Sequence, residues 1–356
     1  MKQGDIIMKM KKISLLLLSL ILIFALIFQA GCSSKPSTSS NGNNVPNATN
    51  TSTEKKYRIA TVVKLSGVAW FDRMNEGVKK FAKDTGIDAF QVGPEKADAA
   101  LQVKIIEDLI AQKVDAICVV PNSPEALEPV LKKAMDKGIV VISHEASNIQ
   151  NVNYDIEAFD NAAYGDMLME NLAKYMNYKG EYATFVGHLT ATSHNEWVDA
   201  AVKLQKEKYP DMKLVANKIE SNEDQQTAYE KTKELLKAYP QLSGIQGSAM
   251  TDAPGAALAV EEMGLIGKVH IVGTSLVSVS GKYLKSGAID MIAFWDPADA
   301  GYAMNKLALM VLEHKEIKNG TDLGVPGYDN LVLNGKVLYG KAWITVTKEN
   351  MNDYNF

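Results

Sequence analysis

Cysteine is scarce in this chain of 356 residues, which excludes a fold held together by disulfides. Only Cys32 and Cys118 are present. Cys118 lies in the apolar run from 115 to 120, a setting typical of a buried, unreactive thiol. Histidine is rare too: the five histidines lack the spacing that puts two ligands on one helical face, so we expect no metal site and no cofactor.

A strong charge and the common catalytic motifs are also missing. The net charge is -4 and the lysines are spread out, so the sequence offers no basic surface for nucleic acid. There is no glycine-rich phosphate loop, no Gly-x-Ser-x-Gly elbow and no paired-thiol motif. Ser193 and His194 are neighbours, but a catalytic pair also needs a third, orienting group. These absences argue against an enzyme.

The N-terminus has the layout of a secretory signal. Three lysines between positions 9 and 12 precede an apolar run from 13 to 28. The run is shorter than the ~20 residues that cross a bilayer comfortably. The small residues Ala30 and Gly31 come directly before Cys32, as is typical of a cleavage site. Residues 1–31 are therefore predicted to be a signal peptide that is removed on export.

A polar segment separates the signal from the body of the protein. Residues 33–56 are mostly Ser, Asn, Thr and Pro, with few large apolar side chains that could offset the entropy of ordering them. We predict that residues 32–56 form a flexible tether. The residues from Tyr57 onward are enough for two domains of ordinary size.

The body alternates short β-branched runs with amphipathic segments, a rhythm typical of βαβ units on parallel sheets. One such helix is predicted over 98–112, with Leu101, Ile105, Leu109 and Ile110 on its inner face. The predicted fold class is α/β, with two doubly wound parallel-sheet lobes joined by a three-stranded hinge.

Three chain crossings are expected between the lobes, near 157–161, 294–297 and 315–327. These crossings assign residues 57–157 and 296–318 to an N-terminal lobe. Residues 158–295 and 319–356 then form a C-terminal lobe.

Residues that could bind a ligand follow the predicted strands, because ligands of open parallel sheets bind beyond the carboxyl ends of the strands. Aromatic, cationic and acidic side chains occur there together: Lys64, Trp70, Phe71, Glu145, Trp295 and Asp296. Carboxylates accept hydrogen bonds from hydroxyl groups, lysine donates them, and aromatic faces stack on sugar rings. We therefore expect a small polyhydroxylated ligand. Core packing of the aromatic side chains and a structural ion pair of Lys64 remain alternatives.

His144 precedes Glu145 directly, so on an extended segment the two side chains point to opposite sides. Only one of them can face the ligand squarely. We expect that Glu145 does.

The stretch from Gln102 to Ile117 resembles the Gln-x-x-x-Ile-x-x-x-Ile-x-x-x-x-Asp-x-Ile pattern of the type I periplasmic binding proteins for sugars. That likeness covers the body from 57 to 356. Four segments are similar to one branch of that family, the autoinducer-2 receptors: 63–71, 190–198, 294–296 and the ending 344–356. Gln29-Ala30-Gly31-Cys32 also resembles a bacterial lipobox, which implies acylation of Cys32.

The resemblance implies a monomeric receptor that closes over its ligand and presents it to an ABC permease, for uptake and quorum signalling. It places the protein on the outer face of the cytoplasmic membrane, which it touches only through its lipid. The ligand implied is autoinducer-2, a cyclic tetrahydroxy-tetrahydrofuran. A receptor for a pentose, a rhamnose-like sugar or another monosaccharide stays open as the alternative.

Site residues carry over from the receptors position by position. A ligand-binding lysine and carboxylate correspond to Lys64 and Glu145. The receptors' carboxylate and amide pair is replaced here by Ser193 and His194. Two positions that contribute backbone contacts in the receptors correspond to Ser248 and Met250. Two other classes fit less well, because a sugar-responsive repressor needs a preceding DNA-binding helix pair and a hydrolase needs a nucleophile set.

Acylation of Cys32 is tested by the mass of the mature N-terminus. We expect a terminal Cys32 that carries diacylglycerol, because the signal ends directly before it. Mass spectrometry of N-terminal peptides from the membrane-associated protein measures this. An unmodified terminus at Ser33 or Ser34 would contradict the prediction.

Overall fold

The computed structural model describes residues 56–356 of the chain. The predicted signal peptide, the Cys32 anchor and nearly all of the tether lie outside the described residues. Within 56–356, no helix is long and apolar enough to cross a membrane.

The first of two sheets contains seven strands. They are β1 (Arg58–Val62), β2 (Asp88–Val92), β3 (Ala116–Val119), β4 (Val140–His144), β5 (Tyr154–Glu157), β11 (Val332–Asn334) and β12 (Val337–Tyr339). Their spatial order is β11-β12-β5-β4-β3-β1-β2. All neighbours run parallel except the β11–β12 pair. The strand order reverses between β1 and β3, which is where such sheets bind ligands.

The second sheet has six strands. They are β6 (Gly180–Val186), β7 (Met212–Glu220), β8 (Leu242–Gly247), β9 (His270–Thr274), β10 (Met291–Phe294) and β13 (Ile344–Val346). Their order is β13-β10-β9-β8-β6-β7, and β13 alone of these strands pairs antiparallel to its neighbour. Its strand order reverses between β6 and β8.

Nine α-helices connect the strands within the described residues. They are α1 (Ala69–Thr85), α2 (Ala99–Ala111), α3 (Pro124–Met135), α4 (Asn161–Tyr175), α5 (Thr192–Lys208), α6 (Gln225–Ala238), α7 (Asp252–Glu262), α8 (Val277–Ser286) and α9 (Pro297–Leu312). Several begin after a side chain that accepts a hydrogen bond from a first-turn amide: Asp98, Ser123, Asp160, Asp224 and Asp296.

These two parallel-sheet α/β lobes confirm the predicted fold class. Cys118 is fully buried on β3, and burial raises the pKa of its thiol, so it is the unreactive thiol that was predicted.

The C-terminal assignment of residues 319–356 to the second lobe is wrong for β11 and β12. Strand β12 pairs in parallel with β5, so that Leu338 lies opposite Ile156 in the first sheet. The third crossing therefore lies between β12 and β13, and the prediction of a crossing at 315–327 is wrong. Strand β5 was not predicted, because two of its four residues are the carboxylates Asp155 and Glu157.

The inner face of α2 also differs from the prediction at one position. Leu109 and Ile110 are buried, but Leu101 is 40% exposed. Gln102 points inward in its place: its amide nitrogen donates to Val120 O at 2.9 Å, and its amide oxygen accepts from Asn122 N at 2.8 Å. A polar side chain therefore occupies the inward position because it supports the loop after β3.

Helices α1 and α9 pack against each other on the first sheet, and their contact depends on glycine. A Cβ at Gly77 would lie 1.8 Å from Ala298 O, and one at Gly301 would lie 2.5 Å from Met74 O. Both contacts are with backbone, which cannot swing aside as a side chain could.

Gly77→Ala should therefore destabilise the protein by roughly 1–3 kcal/mol or more. In an unhindered helix the same change would stabilise it by about 1 kcal/mol, so the sign of the effect tests the contact. The urea midpoint measures it, with Lys79→Ala on the exposed face of α1 as the control. An unchanged or higher midpoint for Gly77→Ala would refute the close approach.

Candidate functional site

A closed cavity lies between the two lobes, beyond the carboxyl ends of both sheets. Its walls come from loops after strands and from the first turns of helices, as expected for doubly wound sheets. The lining residues are Lys64, Leu65, Val68, Trp70, Phe71, Glu145, His194, Trp197, Glu223, Ser248, Met250, Thr251, Thr274 and Trp295.

Hydrogen bonds join the lobes around the cavity. Thr190 Oγ1 of the second lobe donates to Asn122 O of the first at 3.1 Å. Thr192 Oγ1 donates to Asn148 Oδ1 at 2.8 Å. Glu196 of α5 accepts from Ser147 Oγ at 2.7 Å. The cleft is therefore shut in this structure.

Lys64 is the charged centre of the cavity. Its Nζ lies 3.2 Å from Glu145 Oε2 of the first lobe and 3.4 Å from Glu223 Oε1 of the second. Burial by itself would lower the pKa of Lys64, but Glu145 and Glu223 outweigh it and raise that pKa. Burial acts to raise the pKa of Glu223, yet Lys64 holds it below its ordinary value. One ammonium group thus stabilises two carboxylates, one from each lobe.

The backbone at both carboxylates is held in an uncommon conformation. Glu145 has φ 60°, and Asn222 and Glu223 each have φ 57°, in the left-handed region. For residues other than glycine such conformations are sparsely populated and can cost of order 1–3 kcal/mol each, and they concentrate at ligand clamps. The two loops are therefore built to aim these carboxylates at Lys64.

His194 is a neutral donor in the cavity wall. Burial, and secondly the charge of Lys64, lower the pKa of His194 to about 3. Its Nδ1 accepts a hydrogen bond from Gly187 N at 3.1 Å. The ring proton of the neutral form is therefore on Nε2, and this nitrogen can donate to a ligand.

The apolar part of the wall is aromatic. Trp70 of the first lobe and Trp295 of the second meet edge to face, with centroids 4.7 Å apart and ring planes at 77°. Trp197 of α5 lies 5.9 Å from Trp295, also edge to face. Packed in this way, the rings are fixed by each other and present apolar surface to the cavity.

Several polar atoms of the cavity wall are buried and make no hydrogen bond in the structure. They are Glu223 Oε1, Ser248 Oγ, Thr251 Oγ1 and Trp295 Nε1. Buried polar groups are nearly always paired, because leaving them unpaired costs about 1–3 kcal/mol each. The indole donates, the carboxylate accepts and the hydroxyl groups can do either, so together they match the hydroxyl groups of a ligand.

The loop after β8 is fixed from behind by Asp252. Asp252 Oδ2 accepts hydrogen bonds from Ser248 N at 2.9 Å and Ala249 N at 2.8 Å. The amide of Ser248 is therefore engaged within the protein, and its side-chain hydroxyl group has no hydrogen-bond partner. Met250 lines the cavity, and its carbonyl accepts from Ser275 Oγ at 2.9 Å.

The cavity is small. The centre of a water molecule can occupy about 30 Å³ of it. Because the walls stand off by the ~1.4 Å radius of water, the enclosed volume is at least roughly 150 Å³. A single sugar ring with its hydroxyl groups has a volume of that order, whereas a disaccharide is about twice as large.

Most of the predicted site residues line this cavity, but two do not. Ser193 is buried in the first turn of α5 and is not part of the wall. Asp296 caps α9 by accepting from Ala298 N at 2.8 Å, and its carboxylate holds Arg73 at 2.9 and 2.6 Å. Asp296 is not part of the wall, and its contact with the ligand stays a prediction. His144 faces away, with Nδ1 2.5 Å from Ile156 O, and Glu145 faces the cavity.

Sequence reasoning missed Glu223, Trp197 and Thr274. Glu223 follows β7, so inspection of every strand end would have found it.

Within 56–356, no group of three or more metal-ligating side chains could hold a metal ion.

A buried carboxyl pair lies beside the first crossing. Asp155 and Glu157 are two apart on β5, so they share a face, and both carboxyl groups are buried. Ser143 Oγ also donates to Asp155 at 2.6 Å. Burial, then the charges of Asp155 and Glu196, raise the pKa of Glu157 well above its ordinary value. The pair therefore keeps a proton to higher pH than isolated carboxyl groups do.

Two lobes around a closed cavity define a binding protein, and comparison with known proteins gives its family. The pattern of the periplasmic binding protein domain matches residues 59–316. The chain therefore belongs to the periplasmic binding protein family, as the resemblance implied, and it is a binding protein rather than an enzyme.

Curated relatives are named for sugars. The D-ribose/D-allose-binding protein of Pseudomonas aeruginosa is 27% identical over 259 residues, 68% of this chain and 78% of that protein. The D-allose-binding periplasmic protein of Escherichia coli is 29% identical over 259 residues, which is 70% of this chain and 82% of that protein.

Solved structures share the fold. LsrB from Clostridium saccharobutylicum in complex with AI-2 has a TM-score of 0.77 and 23% identity, and the match covers 84% of this chain and 100% of that one. A solute-binding protein of an ABC transporter from Clostridium phytofermentas with bound L-rhamnose has a TM-score of 0.78 and 21% identity, covering 84% and 98%.

The carboxyl pair on β5 predicts a pH-dependent stability. Unfolded Glu157 ionises near its ordinary pKa of about 4.3, whereas the folded group keeps its proton to higher pH. The free energy of unfolding should therefore fall as pH rises above about 4.3, until the folded group ionises too.

Glu157→Gln should weaken this dependence, because the amide can donate to Asp155 without taking up a proton. At about pH 8 we expect the variant to be more stable than the wild type by roughly 1–3 kcal/mol, with a smaller difference at about pH 5. Urea denaturation at both pH values measures this, with exposed Glu207→Gln as control. Equal pH dependence in variant and wild type would rule out the raised pKa of Glu157.

Proposed function

We propose that this chain is the extracellular substrate-binding protein of an ABC importer and that it captures a small, uncharged polyol ring. The observation that carries this proposal is the convergence of unpartnered donors and acceptors on one closed cavity of monosaccharide size. Such groups need a ligand that donates and accepts at the same atoms, as hydroxyl groups do.

The rest of the wall supports the same class of ligand. Trp70 and Trp295 offer apolar surface for the C–H face of a ring. Glu145 and Glu223 can accept from hydroxyl groups, and Lys64 can donate to them. His194 adds a neutral donor. This balance of groups suits a neutral ligand that is rich in hydroxyl groups.

Autoinducer-2 is the first candidate ligand. Lys64 and Glu145 stand together at the positions that the resemblance assigns to its receptors, and both line the cavity. The fold shared with an autoinducer-2 complex is consistent with this ligand. Ser193 lies outside the wall, so the missing carboxylate at that position removes no cavity contact in this chain.

A monosaccharide is the second candidate, and the curated relatives favour it. The two relatives described above are named for ribose and allose. The cavity volume fits a pentose or hexose ring as well as it fits autoinducer-2. Competition between ligands therefore has to decide.

In the proposed mechanism the ligand enters an open cleft and the lobes then close about the hinge. Closure removes water from the cavity and strengthens each hydrogen bond to the ligand. The closed protein, a monomer held to the outer face of the membrane by lipid on Cys32, then presents both lobes to the permease.

Calorimetry with a small panel of ligands tests the function. We expect autoinducer-2, D-ribose, D-allose or L-rhamnose to bind the purified protein, with the tightest displacing the others. Lys64→Met should weaken that binding by roughly tenfold or more, because it removes a charged donor and leaves Glu145 and Glu223 unneutralised. Lys203→Met, on the outer surface of α5, is the control. Absence of heat with all four ligands would reject the proposal.

A further inference from the structure

We infer that Glu223 of the second lobe is a ligand-contacting residue and that, opposite Lys64 and Glu145, it restricts the cavity to uncharged ligands. The inference rests on the proposed function and adds to it a specificity-determining residue. Glu223 has no counterpart among the residues that sequence reasoning assigned to the site.

The geometry of Glu223 is that of a ligand contact. Glu223 lines the cavity with a side chain that is 11% exposed, and its Oε1 lies 3.4 Å from Lys64 Nζ without making a well-formed hydrogen bond. An ionised carboxylate has about four acceptor sites, and the structure gives Glu223 Oε1 no partner besides Lys64. Glu223 therefore keeps acceptor capacity that a hydroxyl group of the ligand can use.

The charges of the wall add up to one net negative charge. Lys64 is protonated, Glu223 is ionised, and Glu145 lies against Lys64 as the other half of its ion pair. His194 is neutral, so it contributes no positive charge. Within the described residues, the wall contains no arginine. A carboxylate or phosphate on the ligand would thus meet excess negative charge in a closed cavity, where water cannot screen it.

Gly187 gives the side chain of Glu223 its space. A Cβ at Gly187 would lie 2.4 Å from Glu223 Oε1 and 2.7 Å from its Cδ. Gly187 does not have a positive φ, so this contact and not backbone freedom is what requires glycine. Together with the left-handed backbone at Asn222 and Glu223, it fixes the carboxylate toward the cleft.

Calorimetry on Glu223→Gln tests the inference, with the tightest ligand of the panel and with D-glucuronate as an anionic ring. The neutral ligand should bind about tenfold more weakly than to the wild type, since a charged acceptor is replaced by a neutral one. The preference for the neutral ligand over glucuronate should narrow by roughly tenfold or more. Glu230→Gln, on the exposed face of α6, removes the same charge far from the cavity and should change neither quantity.

Gly187→Ala separates contact from charge and covers the case in which Glu223→Gln fails to fold. It keeps the carboxylate but displaces it, so the neutral ligand should bind more weakly while glucuronate stays excluded. Thermal denaturation shows whether each variant is folded. If both folded variants bind with the affinity and selectivity of the wild type, the role of Glu223 is overturned and the proposed function stays intact. If the wild type binds no ligand of the panel, both the role of Glu223 and the proposed function are rejected.

Discussion

The interaction on which this structure depends is the sharing of the Lys64 ammonium by Glu145 and Glu223. Burying a charge is costly unless it is paired, and removing one partner of such a group leaves an uncompensated charge. Lys64 is therefore held by whichever carboxylate is near it. In the first lobe alone that is Glu145, at 3.2 Å, and only closure of the cleft adds Glu223. The electrostatic centre of the site is thus also a link between the lobes.

The hinge is arranged so that this link can form and break. The first and third crossings lie side by side, joined by hydrogen bonds from Gly340 N to Glu157 O and from Ala342 N to Ala158 O, both 2.9 Å. They therefore bend as one unit rather than as two independent segments. Trp343 packs edge to face against Phe159 beside them, with centroids 5.5 Å apart and ring planes at 66°. A hinge motion about these joined crossings would change contacts at the cleft without breaking the two hydrogen bonds.

The sequence was informative about site residues whose position depends on a single strand. Lys64, Glu145 and Trp295 follow strands β1, β4 and β10, and parallel sheets gather such positions at one edge, so a local pattern was enough to find them. Asp296 also follows a strand, but its carboxylate is taken by Arg73 and by the cap of α9. Nothing in the local pattern separates it from Glu145, because the difference depends on a helix more than two hundred residues away in sequence.

For the same reason, local sequence patterns could not predict which strands pair when they are far apart in the sequence. Strand β12 joins the first sheet because β5 offers it a parallel edge, and β5 itself carries two carboxylates that hide it as a strand. Burial raises the pKa of both carboxyl groups and so favours their uncharged forms, which makes the pair tolerable inside the sheet. Neither the strand pairing nor these pKa shifts can be read from the residues taken singly.

The two lobes differ in how many of their cavity-lining polar groups lack a hydrogen-bond partner. Lys64 and Glu145 of the first lobe satisfy each other. Apart from the Lys64–Glu223 contact, the unpaired atoms of the wall are those of Ser248, Thr251 and Trp295, and all three residues belong to the second lobe. Closing the second lobe over an empty cleft would bury these groups without partners, whereas a polyol supplies the missing hydrogen bonds. Each ligand hydroxyl group that hydrogen-bonds to the second lobe therefore stabilises the closed state, so closure depends on the ligand.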